Sequence, residues 1–193
     1  MKGDFIPLWP SAGVLPPVDV IEPTSQARSP YRITLTDLVL RFATSVDRCR
    51  ILDGLLRYRK ALHSAGLSKG FQWIDGSFLE NVELIRGRSP GDIDVVTFFE
   101  LPSGTTEFDL DREHPNLFDH AFVKATYFVD SYPQNLDTPP NELVWWSSYW
   151  YGVWSHQRDS LLWKGFLSID LDIADDLDAS LQLVKLTKEV ESS

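Results

Sequence analysis

Two short apolar runs with acids at their mouths limit what this chain can become. Phe71–Ile74 leads into Asp75-Gly76-Ser77, and Ile93–Phe99 follows directly on Asp92. Both are short, rich in β-branched and aromatic residues and bounded by turn residues, which is how a strand reads. The stretches around them carry helical spacing instead. From Thr44 to Ala65, Cys49, Leu52, Leu55, Leu56 and Leu62 recur on one helical face. Thr44 and Asp47 match a capping pattern at the start, and Gly66 is placed to end the helix. Arg48, Arg50, Arg57, Arg59 and Lys60 are expected largely off the apolar face, with His63 on the solvated side.

The same reasoning extends along the chain. A short helix is expected at Thr36–Phe42, a helix at 78–86, a loop at 87–91 and a longer loop at 101–116. A helix over Leu117–Tyr127 precedes a third strand, Phe128–Tyr132. Trp146, Trp150 and Trp154 recur every four residues, which predicts a helix with an aromatic face, read as core or as a subunit interface through which the chain forms an oligomer. Lys164–Asp172 alternates as a strand, and a last helix runs from about Asp178 to Val190, with Asp175, Asp176 and Asp178 as its solvated start. Strands alternating with helices predict an α/β (α+β) fold, a small mixed sheet flanked by helices. Residues 1–30 hold six of the 12 prolines and are expected to lie extended over the domain formed by 31–193, pinned by Phe5, Ile6, Trp9 and Leu15.

Charge and composition narrow the partners. With 28 acidic residues against 18 basic ones and no basic tract, the net charge is −10, which argues against electrostatic grip on a long duplex nucleic acid. No apolar run is long enough to span a membrane, the N-terminus lacks the apolar core of a secretory signal, and one cysteine, Cys49, allows no internal disulfide. A cytoplasmic protein is expected.

The chemistry concentrates at the two acidic strand mouths. Asp92 and Asp94 point the same way because alternate strand residues share a face, and two neighbouring carboxylates call for a hard cation between them. A bare Asp-x-Asp is a weak signal, since 109/111, 170/172 and 176/178 repeat it. Context separates the first pair: it follows a strand ending in Gly76-Ser77, whose backbone N–H groups and hydroxyl suit a phosphate. His114 and His120 are read as surface residues, whereas His156 and Arg158 either contact phosphate or pair with surface acids.

Ile74-Asp75-Gly76-Ser77, a short helix, and Pro90-Gly91-Asp92-Ile93-Asp94-Val95-Val96 resemble the signature of the polymerase-β-like nucleotidyltransferases, especially the minimal ones. More narrowly, Gly13–Pro17, Arg41–Ser45, Trp73–Phe78 and Lys164-Gly165 resemble a bacterial family of nucleotidyltransferase-like proteins. The resemblance implies a nucleotidyltransferase fold in which Asp92 and Asp94 hold two magnesium ions, or manganese in their place, and Gly76, Ser77 and Lys164 hold a nucleoside triphosphate. It places a third carboxylate, metal ligand and proton acceptor, on the strand after the next helix, which selects Asp130, with Asp170 as the rival. It further implies transfer of a nucleoside monophosphate to a hydroxyl with release of pyrophosphate, the acceptor being a companion protein in a toxin–antitoxin or defence module. The alternatives are a non-catalytic binding module that holds a partner by the Trp face, and a metal-dependent glycosyltransferase, for which the chain is short.

Overall fold

The computed structural model describes residues 5–19 and 21–192, so residues 1–4, where the sequence was read for a secretory signal, lie outside the described residues. The chain forms a five-stranded mixed sheet with eight α-helices among the described residues, the α/β class expected from the alternating runs. The strands are β1 (Tyr31–Ile33), β2 (Gly70–Asp75), β3 (Ile93–Phe99), β4 (Val129–Asn135) and β5 (Leu167–Asp170), in the spatial order β1-β5-β2-β3-β4. β2 runs antiparallel to both β3 and β5, whereas β3–β4 and β1–β5 are parallel pairs. β4 is an edge strand, which is why it tolerates Pro133.

The helices are α1 (Leu35–Phe42), α2 (Val46–Ser64), α3 (Val82–Arg86), α4 (Glu107–Glu113), α5 (Pro115–Phe118), α6 (His120–Tyr127), α7 (Pro140–Trp154) and α8 (Asp176–Glu191). Thr34 and Asp37 form a reciprocal capping box at α1. At α2 the cap is Ser45 and not Thr44: Ser45 has the extended backbone a cap requires, and its Oγ accepts from the Arg48 N–H. Helix α4, inside the expected loop, starts with a second capping box, Thr106 with Asp109. Its acid-rich sequence carries too few apolar residues to announce a helical face, and only Leu110 is buried.

Alternation along the strands gives the sheet two unlike faces. Gln72 and Ser131 face the α2 layer, where Gln72 accepts from Arg59 and Ser131 meets the Tyr58 hydroxyl at 2.5 Å. Trp73, Asp75, Asp94, Asp130 and Tyr132 face the other way. Arg48 and Arg59, expected off the apolar face of α2, are fully buried. Each is affordable inside because it is fully partnered: Arg59 binds Asp176 at 2.6 Å together with Gln72 and the Asp170 and Asp172 carbonyls. His63 is likewise interior, between the Leu67 carbonyl and Asp176. Asp176 is therefore an internal anchor for α8, and Asp175 accepts from Thr36, so neither is simply a solvated helix start.

The proline-rich segment runs over the domain with one isolated bridge, Val18 to Arg28, as its regular pairing among the described residues. Ile6 and Leu15 are buried and Trp9 is half-buried, but Phe5 is exposed and pins nothing. The Trp9 indole N–H donates to the Leu79 carbonyl at 2.7 Å, and the Asn81 N–H donates to the Gly13 carbonyl at 2.8 Å. The segment thus braces the turn that follows β2. Among the described residues, no helix is long and apolar enough to cross a membrane.

Candidate active site

The register of three adjacent strands lines up three carboxylates. Asp75 pairs with Asp94 across β2–β3, and Asp94 pairs with Asp130 across β3–β4. Asp92 lies two residues before Asp94 on the same face. Sheet order therefore brings Asp130 beside the Asp92/Asp94 pair. It puts Asp170 on the far side of β2, where its carboxylate binds Arg32 at 2.8 Å beside a separate small cleft.

Gly76 makes this packing possible. Its φ of 86° lies in the left-handed region, and a Cβ there would fall 1.8 Å from Asp94 Oδ2. The turn therefore rests directly on the Asp94 carboxylate and sends Ser77 into the cleft mouth. Arg48 holds the far side of the turn: its guanidinium donates to the Phe78 carbonyl at 2.6 Å, the Glu80 carbonyl at 2.7 Å and both oxygens of Glu83. One buried cation thus fixes the backbone immediately after Gly76-Ser77.

Two lysines counter the acids. Lys164, on the segment entering β5, is buried, and its ammonium binds Asp75 at 2.9 Å and Glu80 at 3.4 Å. It lines the cleft as the sequence led us to expect, but its charge is engaged by these acids. Lys124, on α6, binds Asp92 at 2.7 Å and Asp130 at 2.5 Å. One turn earlier on the same helix, His120 is exposed, as expected of a surface residue, and from the rim of the cleft it contacts the other Asp130 oxygen.

The balance of charge differs from acid to acid. Burial, reinforced by Asp75, Asp92 and Asp130, pushes the Asp94 carboxyl up to about 7. Burial also raises Asp75 to about 6, against the pull of Lys164. Asp130 goes the other way: burial is outweighed by hydrogen bonds from Lys124, His120 and Tyr132, and its carboxyl is held below the ordinary value. The cluster therefore carries more negative charge than its lysines neutralise, and Asp94 bears the strain.

The cleft around these groups has a volume of about 620 Å³. Beyond the acids it is lined by Arg86, Arg88, His156 and Arg158, and by Tyr149, Trp150 and Trp154 of α7. Arg86 is partly committed, to Asp159 at 3.0 Å. The aromatic helix divides between roles: Trp154 is core, Trp150 packs on Tyr132 with ring centroids 4.6 Å apart, and Trp145 is 58% exposed. A larger groove of about 940 Å³ runs along α2 and α8, but two of its three acids, Asp53 and Asp176, are already paired with Arg57, Arg59 and His63.

The donor set suits magnesium or manganese in kind, being all oxygen and under-neutralised at Asp94. The acids are not drawn into a ready cage, since among the described residues no three His, Cys, Asp or Glu side chains form a metal-holding group. The Lys124 ammonium, bound to both Asp92 and Asp130, takes up the space between them.

The residues that composition and motif did not single out are Asp75, Glu80, His120, Lys124, Tyr132 and buried Arg48. A usable signal existed for His120 and Lys124, whose spacing of four puts them on one face of the helix that feeds the Asp130 strand. None existed for Arg48, whose burial depends on the path of the segment after Gly76. Comparison with known proteins adds one finding: the model of a family of unknown function (DUF6932) matches residues 7–170, and the chain belongs to that family. No curated protein and no solved structure matches it.

Proposed function

We propose that this family member is a magnesium-dependent nucleotidyltransferase, moving a nucleoside monophosphate from a nucleoside triphosphate to a hydroxyl. The observation that carries the reading is the row Asp94–Asp130 with Asp92 beside it, facing the Gly76-Ser77 turn across one cleft. Asp92, Asp94 and Asp130 would hold magnesium, which when bound neutralises phosphate charge and polarises the reacting phosphorus. The Gly76-Ser77 turn would receive the terminal phosphates through its hydroxyl and backbone N–H groups, with Arg88, His156 and Arg158 around them. Tyr149 and Trp150 would provide the apolar wall against which a base packs.

In the reaction, the acceptor oxygen forms a bond to the α-phosphorus and the bond from that phosphorus to the β-bridging oxygen breaks, releasing pyrophosphate. Asp130 orients the acceptor hydroxyl, and His120, in contact with Asp130, takes the proton outward to solvent. Lys164 acts through Asp75, keeping that buried carboxylate paired beside Asp94.

The acidic surface and the exposed Trp145 end of α7 favour a protein acceptor over a long nucleic acid, and a triphosphate donor goes with a cytoplasmic location. A second reading, a non-catalytic module that uses the α7 face to hold a partner or a second copy, is favoured by the same exposed aromatics. Thermal melts with each triphosphate and magnesium distinguish them. A magnesium-dependent rise in melting temperature, lost in Asp92→Ala/Asp94→Ala, supports the enzyme. Absence of any rise, with partner binding intact in that variant, selects the module.

A further inference from the structure

We propose that Lys124 is a built-in counter-cation that closes the carboxylate cluster on itself and has to leave before a divalent cation can enter. The proposal rests on the metal-site reading above and adds its control. The ammonium binds Asp92 at 2.7 Å and Asp130 at 2.5 Å, which are two of the three carboxylates assigned to the metal. His120 covers the remaining Asp130 oxygen from the same helix face.

The two lysines of the cleft are built differently. Lys164 is 5% exposed and fixed between Asp75 and Glu80, beneath the carboxylate row. Lys124 is 43% exposed, and its flexible four-carbon stem rises from α6 at the cleft edge, so the ammonium can swing into solvent without moving backbone. Lys164 is therefore a permanent neutraliser and Lys124 a removable one. Because one position cannot hold an ammonium and a metal together, the two compete, and the coupling is reciprocal: whatever holds Lys124 in weakens the metal, and the metal drives Lys124 out. Free metal alone then binds weakly, whereas a metal arriving on a triphosphate brings extra oxygen ligands and wins. The cleft stays shut to stray cations until the donor is present.

The test is titration of manganese, read by the electron-spin signal of the free ion, into nucleotide-free wild type, Lys124→Met and Lys124→Gln. The expected result is manganese binding about tenfold tighter in both variants, within the range of ordinary coupling energies. A second measurement uses the wild type alone, so that it stands even where a variant fails to fold. Acetylation of Lys124 by an activated ester, followed by peptide mass spectrometry, should speed up several-fold when manganese is added. Equal or weaker manganese binding in the variants, or labelling of Lys124 unchanged by bound metal, overturns the counter-cation while leaving the metal site standing. No manganese binding in any of the three proteins overturns both.

Discussion

Asp94→Asn should stabilise the metal-free protein while abolishing its proposed chemistry. In the fold the Asp94 carboxyl sits near 7, against 3.8 for an unperturbed group, because it is buried and crowded by Asp75, Asp92 and Asp130. A raised folded pKa means that the native state holds its proton longer than the unfolded chain does. Stability is then greatest below the unfolded value and falls as pH rises through the window from 3.8 to about 7. At pH 8 the full penalty for ionising Asp94 in place is about 4 kcal/mol by linkage, and at pH 5 it is under about 2 kcal/mol. The cleft admits water and the neighbouring carboxylates share the proton, so about half of that, ~2 kcal/mol at pH 8, is expected in a melt. For a chain of this length ~2 kcal/mol corresponds to about 4–8 °C. Asparagine keeps the shape and removes the charge. Melted in chelator at pH 8, Asp94→Asn should therefore exceed wild type by several degrees, with the gap narrowing at pH 5. A variant that melts lower than wild type at pH 8, or a gap unchanged at pH 5, refutes the electrostatic account of the cluster.

The other predictions concern what holds the cluster in shape. Arg48→Met leaves the Phe78 and Glu80 carbonyls and the Glu83 carboxylate without their shared donor; chemical denaturation should show a loss of about 3–5 kcal/mol. Lys164→Met strands Asp75 and Glu80 in the interior, so its loss of stability in denaturant should be larger at pH 8 than at pH 5, where Asp75, raised to about 6 by burial, can take up a proton. Gly76→Ala drives a methyl to within 1.8 Å of Asp94 Oδ2 at a left-handed φ, and should cost about 1–3 kcal/mol in melts together with any stabilisation by magnesium and nucleotide.

What was legible in the sequence was periodicity, and what was not was partnership across the fold. The apolar runs at 71–74 and 93–99 became β2 and β3, and the four-residue tryptophan spacing became α7, because strand and helix write their own repeat into side-chain order. Gly76-Ser77 and Asp92/Asp94 meet because they end and begin neighbouring strands. Asp75, by contrast, stood in plain view next to Gly76, but its role depends on being opposite Asp94 in an antiparallel register that one sequence does not disclose. Asp130 and Asp170 each end or open an apolar run, and strand order alone sends one into the cleft and the other to Arg32. Arg48, Arg59 and His63 look like solvent-facing helix residues by period; they are interior because carbonyls and acids from distant segments converge on them.

The most direct test of the account needs no acceptor, since water can take the place of the acceptor hydroxyl at a slow rate. Each nucleoside triphosphate is incubated with the protein and magnesium over hours, and the phosphorus-containing products are separated. Nucleotidyl transfer predicts nucleoside monophosphate and pyrophosphate in equal amounts, dependent on magnesium and absent in Asp94→Asn. Nucleoside diphosphate with inorganic phosphate, or no product from any triphosphate, would contradict it.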